Sequence, residues 1–216
     1  MRTFLFFLVS IIFLSCAKPN FNDEKFKEQA LELPIENPNK EVLATKKSPQ
    51  LQSYEQKLYP SFKREKLLQV INYVREKAPF CSTPQKKLQW NYHLEKAAMA
   101  HAKDVALHHL KSSTGSGTST DLARKANGVG SHLMQRLLFF GYPVKTNDLV
   151  AENIIISKKR KHETIEQNFK RTLFYALKKA PYCKILMHPR FKDIGVGVYK
   201  KRNRYYWVIV VAETDK

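Results

Sequence analysis

Acidic residues are scarce in this chain: 19 Asp and Glu stand against 38 Lys and Arg in 216 residues. Long apolar stretches are scarce too. The main one runs from Phe4 to Leu14 and is too short to span a bilayer core, which takes about 20 residues. Cysteine occurs three times, too few for a disulfide scaffold, so a buried core has to carry the fold. No internal repeat is visible, which argues against a solenoid. Aromatic residues are few between 17 and 55, where Pro19, Pro34, Pro38 and Pro49 punctuate Asn, Lys and Glu. Such a composition cannot bury enough apolar surface to fold alone.

The chain opens with Arg2 and then the short apolar run, an arrangement that reads as a secretory signal. The run ends in Phe13-Leu14-Ser15-Cys16, which resembles a bacterial lipobox with Phe13 in place of the usual Leu. Residues 1–15 are therefore expected to be a lipoprotein signal peptide, with Cys16 carrying the lipid. Several acyl chains there would anchor the protein stably. Residues 16–55 are expected to form a flexible tether, and 56–216 the folded domain. Ala17-Lys18 lacks an inner-membrane Asp signal, which favours the outer membrane. The basic balance favours anionic partners, and export argues against nucleic acid. With Cys16 lipidated, Cys81 and Cys183 remain as an even pair in an oxidising compartment, which favours a disulfide.

Helical spacing begins near Pro60, with Phe62, Leu67, Val70, Ile71 and Val74 on one face, and Ala78-Pro79 ends it. Asn91 caps a second helix to about residue 110, with Leu94, Ala97, Ala98, His101 and Val105 together on one side. Residues 112–121 form a Ser/Thr/Gly loop. A third helix is expected over 131–140, closed by Gly141, and a fourth over 163–179. Strands are expected over 150–156, 193–200 and 205–212. The last two are joined by the turn Lys201-Arg202-Asn203-Arg204. This order suggests a layered α+β fold. In the strand at 193–200, Gly195 and Gly197 alternate with Ile194, Val196 and Val198. One face is thereby left bare for close approach of another element.

Four ordered patterns resemble the CAP (SCP-like) family. The first is Leu88-Gln89-Trp90-Asn91 followed by Leu94, Ala97-Ala98 and His101-Ala102-Lys103-Asp104-Val105-Ala106. The second is Thr114-Gly115-Ser116-Gly117 with Asp121 and Arg124. The third is Phe140-Gly141-Tyr142 and then Glu152-Asn153-Ile154. The fourth is Cys183, His188-Pro189-Arg190-Phe191, Ile194-Gly195-Val196-Gly197-Val198 and Tyr206-Trp207-Val208. The resemblance implies a CAP-type α-β-α sandwich with a central antiparallel sheet and a shallow cleft. It also places Cys81 and Cys183 where related bacterial members carry cysteines, one after the first helix and one beside the cleft.

The resemblance implies a cleft holding two histidines and a glutamate, a set able to bind a divalent cation such as zinc or to serve acid–base chemistry. Glu152 matches the glutamate. Ser113 and Tyr182 stand where the two histidines belong. A Ser hydroxyl and a Tyr phenol are poor zinc ligands at neutral pH, yet either can donate a hydrogen bond. Convergence of Ser113, Glu152 and Tyr182 is expected, with His109 as a recruited imidazole and no catalytic residue, metal or cofactor assigned. His101 reads as a packed, hydrogen-bonded residue on an apolar helix face.

Two charge runs complete the inventory. Lys158, Lys159, Arg160 and Lys161 follow a strand, and Lys200, Lys201, Arg202 and Arg204 surround the hairpin tip. They are candidates for contact with an anionic surface. The leading expectation is a monomeric, envelope-anchored, non-catalytic binding module. It would bind an anionic glycan, a lipid or an envelope protein, or take a small apolar ligand. The alternatives are a metal-dependent hydrolase using Glu152 and a recruited His, and a structural lipoprotein binding anionic envelope surfaces.

Overall fold

The structure, a computed structural model, describes residues 59–81, 83–145 and 147–213. The expected signal peptide, the expected lipidation site Cys16 and the expected tether all lie outside the described residues. The described elements run α1 (Arg64–Lys77), β1 (Gln89–Trp90), α2 (Tyr92–His108), α3 (Leu133–Phe139), β2 (Val150–Lys158), α4 (Ile165–Ala176), α5 (Ala180–Leu186), β3 (Asp193–Lys201) and β4 (Arg204–Ala212). None of these helices is long and apolar enough to cross a membrane.

Local chemistry sets the boundaries. In α1, Leu67, Ile71 and Val74 recur at helical spacing and are fully buried. The helix stops where Ala78 turns left-handed, since the residue before a proline is pushed out of the helical region. Asn91 caps α2 by accepting from His93 N and Leu94 N. Thr164 and Gln167 form a capping box on α4. Pro181 sits in the first turn of α5, where a missing N–H costs nothing. The fourth helix expected over 163–179 therefore ends at Ala176, and a separate short helix begins at Ala180.

The sheet has the order β1-β3-β4-β2. β4 pairs antiparallel with both β3 and β2, while β1 joins β3 in parallel. The sheet is therefore mixed rather than wholly antiparallel. Gln89 N donates to Lys192 O and Asn91 N to Ile194 O, both at 2.8 Å. This pairing lasts two residues, too few to show a strand period in sequence.

Side-chain alternation along the strands divides the core into two layers. Trp207, Ile209, Val211, Ile194, Val196 and Val198 meet α1, α4 and α5 on one face. Val208, Val210, Tyr206 and Tyr199 meet α2 and α3 on the other. The bare positions fall on this second face. A Cβ on Gly195 would lie 2.2 Å from Glu95 N, and one on Gly197 2.2 Å from Ala98 C and Met99 N. The α2 backbone thus rests directly on β3, and only glycine fits beneath it. Cys81 and Cys183 are joined in a disulfide with Cα atoms 5.8 Å apart.

Candidate functional site

Glu152 pairs in register with Val210, so its side chain points toward α2 and α3. The carboxylate is buried there. Oε1 accepts from Arg136 Nη2 of α3 at 2.8 Å and lies 3.4 Å from His101 Nε2 of α2. Arg136 is itself buried. Its Nη1 donates to the carbonyls of Ser113 at 2.9 Å and Ser131 at 3.1 Å. Burial pushes the His101 imidazole below its usual pKa, and Glu152 only partly offsets this. Among the described residues, neither Arg136 Nε nor Glu152 Oε2 finds a hydrogen-bond partner.

A second buried carboxylate organises the adjoining loop. Asp104 accepts from Ser116 N at 2.7 Å, Ser116 Oγ at 2.5 Å and Thr120 Oγ1 at 2.6 Å. Asp121 takes Ser131 N at 2.7 Å and Ser131 Oγ at 2.6 Å. Burial opposes ionisation of Asp121, yet the bonds from Ser131 and Gly117 outweigh it and hold its pKa below the usual range. Gly115 is packed against this pair: a Cβ there would fall 2.1 Å from Asp121 Oδ2.

The four cleft positions expected from sequence are dispersed. Ser113 is solvent-exposed and reaches Glu152 only through its backbone carbonyl and Arg136. Tyr182, on α5, packs with the core of the opposite face. Its hydroxyl donates to Ile154 O at 3.4 Å, on the outer edge of β2, where it covers an otherwise open strand edge. His109 is the exposed, left-handed cap of α2. The expected Ser113–Glu152–Tyr182 convergence is thus replaced by Arg136–Glu152–His101. The physical reason is strand alternation, which turns Glu152 away from the face where Tyr182 packs.

This donor set does not fit a zinc ion. Glu152 is neutralised by a guanidinium, and Ser113 and Tyr182 contribute no ligand atom beside it. Among the described residues no group of three or more His, Cys, Asp or Glu side chains could hold a metal. Arg136 went unnoticed in the sequence, although a lone cation inside the apolar run 133–140 was its signal.

The two basic segments do come together. Lys158 is paired with Arg204 in register, Lys201 with Arg204, and Lys159 N donates to Asn203 O at 3.0 Å. Lys201 Nζ reaches the α2 carbonyls of Ala106 at 2.9 Å and Leu107 at 3.4 Å, the favourable place for a cation at a helix C-terminus. Lys158, Arg160, Lys161, Arg202 and Arg204 are exposed, and Lys159 and Lys200 half-buried. Glu163, the carboxylate beside them, is already taken. Arg171 holds it at 2.6 Å and 2.9 Å, which lowers its pKa to about 2.

The model of the CAP family, described as the cysteine-rich secretory protein family, matches residues 68–212. No curated protein sequence matches the chain. Among solved structures, an extracellular protein containing an SCP domain from Bacillus anthracis is similar at 19% identity and TM-score 0.50, over 69% of this chain and 40% of that one. An outer surface protein of Borrelia burgdorferi is similar at 17% identity and TM-score 0.50, over 72% of this chain and 97% of that one. At these identities the likeness is one of fold. The chain spans well under half of the Bacillus protein.

Proposed function

This chain belongs to the CAP family, and from that premise we propose that it is a non-catalytic binding module of the bacterial cell envelope. Its working surface is the basic end of the sheet, and its partner is an anionic envelope component, either a polyanionic glycan or the headgroups of anionic lipids. Cys16 would hold it to the membrane. Outer-surface and extracellular settings in the two structural neighbours are consistent with that placement.

The register of Lys158 with Arg204 carries the reading. Like charges directly opposite in an antiparallel pair destabilise by a few tenths to about 1 kcal/mol. A hairpin that served only the fold would gain from a carboxylate at either position. Here the strand end instead gathers Lys159, Arg160, Lys161 and Arg202 around the same pair. A surface of one sign raises the local concentration of counter-charged ligands and speeds their capture. The family's cleft does not compete for the role, because Glu152 is buried against Arg136 and lacks freedom to act as a base. The metal-dependent hydrolase would require that pair to separate.

Binding of the full chain to heparin, as a soluble polyanion, and to phosphatidylglycerol vesicles against phosphatidylcholine vesicles tests the proposal and separates its two sources of anion. Each cation near an anionic surface contributes roughly 1 kcal/mol. Arg160→Glu with Arg202→Glu is therefore expected to weaken binding at least tenfold. Added salt should do the same to the parent chain. Unchanged binding of the double variant to both probes overturns the reading.

A further inference from the structure

A separate surface lies on α3 and the loop before it. Leu122 is 50% exposed, Val129 44%, and Leu138 and Phe139 58% each. These side chains belong to one braced unit rather than to a loose loop. Asp121 clamps the loop base to Ser131, Lys125 N donates to Val129 O at 3.1 Å across the loop, and Arg136 ties α3 to Ser113 and Ser131. Phe139 meets Phe140 edge-on at 5.0 Å, and Leu122 and Phe140 line a single narrow hollow. The scaffold therefore holds these apolar side chains in water on a braced frame.

The charges around them are one-sided. Arg124 is exposed and Lys125 half-buried, while Asp121, the sole carboxylate between residues 117 and 145, is buried and spent on Ser131. Aliphatic and aromatic tips beside cations, with no exposed carboxylate between residues 117 and 145, match the layer where acyl chains meet anionic headgroups. A protein partner would leave the missing carboxylates unexplained. The last turn of α3 also lies away from the basic sheet end. Phe140 O contacts His93 Nδ1 at 2.7 Å, where α2 begins, whereas Lys201 Nζ reaches the carbonyls where α2 ends. The stretch of α2 from His93 to Ala106 puts about 20 Å between the last turn of α3 and the sheet end, while Thr118 and Thr120, just before the loop, hydrogen-bond with His108 at the end of α2.

We propose that residues 122–129 and the last turn of α3 form a membrane-contact site that enters the interfacial layer of an anionic bilayer. Leu122, Leu138 and Phe139 bury their tips there, and Arg124 and Lys125 meet the phosphates. The lipid anchor expected at Cys16 would keep the domain near the bilayer but cannot by itself place this face in it.

Phe139→Trp in the full chain puts an indole at the proposed contact. Tyr175→Trp puts one on the opposite layer, at a residue 65% exposed on α4. Both variants are mixed with phosphatidylglycerol vesicles whose acyl chains carry bromine, which quenches indole on contact. The expected result is a blue shift and at least twofold greater quenching for Phe139→Trp than for Tyr175→Trp. Reversal of Arg124 and Lys125 to Glu in the Phe139→Trp background should abolish the excess. Equal or absent quenching at the two positions overturns the proposal. So does concentration-dependent self-association that Leu138→Asp removes while quenching stays absent, which would make the patch a contact between copies of the chain. Heparin binding by the sheet end is unaffected in either case, so failure here and failure of the reading above are distinguishable.

Discussion

Arg136 decides what Glu152 can do. A carboxylate at the end of an apolar strand invites a reading as a ligand or base, and the motif around Glu152 supplied no sign of a neighbour on α3. Yet the guanidinium is 2.8 Å away and buried with it, an arrangement that keeps the Glu152 carboxylate occupied. His101 completes the group, and its burial has a consequence in acid. The imidazole has a pKa lowered by desolvation in the folded state, so the unfolded chain binds its proton more readily. Stability from this residue is therefore present above the ordinary histidine pKa, about 6.5, and is lost as pH falls through the lower folded value. We expect His101→Gln to flatten the fall in melting temperature between pH 7 and 5 relative to the parent chain. Unchanged slopes in thermal melts across that range would show that His101 takes up its proton equally readily in the folded and the unfolded chain. In sequence, the helical spacing of His101 with Leu94, Ala98 and Val105 disclosed its burial. Its approach to Glu152 depends on which face of β2 meets α2, and spacing within one helix carries no such information.

Elements with strong local signals were legible, and those made by long-range contact were not. The Asn91 cap, the alternation of Gly195 and Gly197 with branched residues, and the tight turn before Arg204 each state their geometry in a few residues. β1 exists because residues 89 and 90 meet β3 from across the chain, and the break between α4 and α5 turns on Pro181 starting a new helix. The charge runs were visible, but their meeting required the β2–β4 register. That register predicts opposite signs for two measurements on one substitution. Lys158→Glu converts a repulsive cross-strand pair with Arg204 into an attractive one. We expect a gain of about 0.5 kcal/mol in unfolding free energy from denaturant titration. The same change should weaken heparin binding, because it removes one cation and offsets another. A loss of stability together with unchanged binding would mean that the pair serves the fold and not a ligand.

At the scale of the whole molecule, two clamps act on the same pair of segments. The disulfide joins Cys81, just after α1, to Cys183 in α5. Arg75, fully buried in α1, donates through Nε to Lys86 O at 2.7 Å and through Nη1 to the carbonyls of Leu186 and His188. Burial lowers its pKa to about 10, and backbone carbonyls stand in for a counter-ion. Both devices fasten the connection after α1 to the end of α5, and so close the layer over Trp207 and Phe169. Removing the bridge frees a loop with a sequence separation of 102 residues, for which chain entropy allows about 4–5 kcal/mol, with measured values commonly nearer 2–4. Arg75→Met leaves buried carbonyls unpaired and should cost about 3 kcal/mol. Because both clamps act on the same pair of segments, the two losses should not add. With the bridge gone, the segments can part locally and let water reach the carbonyls that Arg75 served, so the arginine then matters less to global unfolding. We expect the Cys81→Ser, Cys183→Ser, Arg75→Met chain to be more stable than the sum of the separate losses implies, by about 1 kcal/mol in a double-mutant cycle. Strict additivity in urea titrations of the four forms would show that the two clamps act on independent parts of the fold.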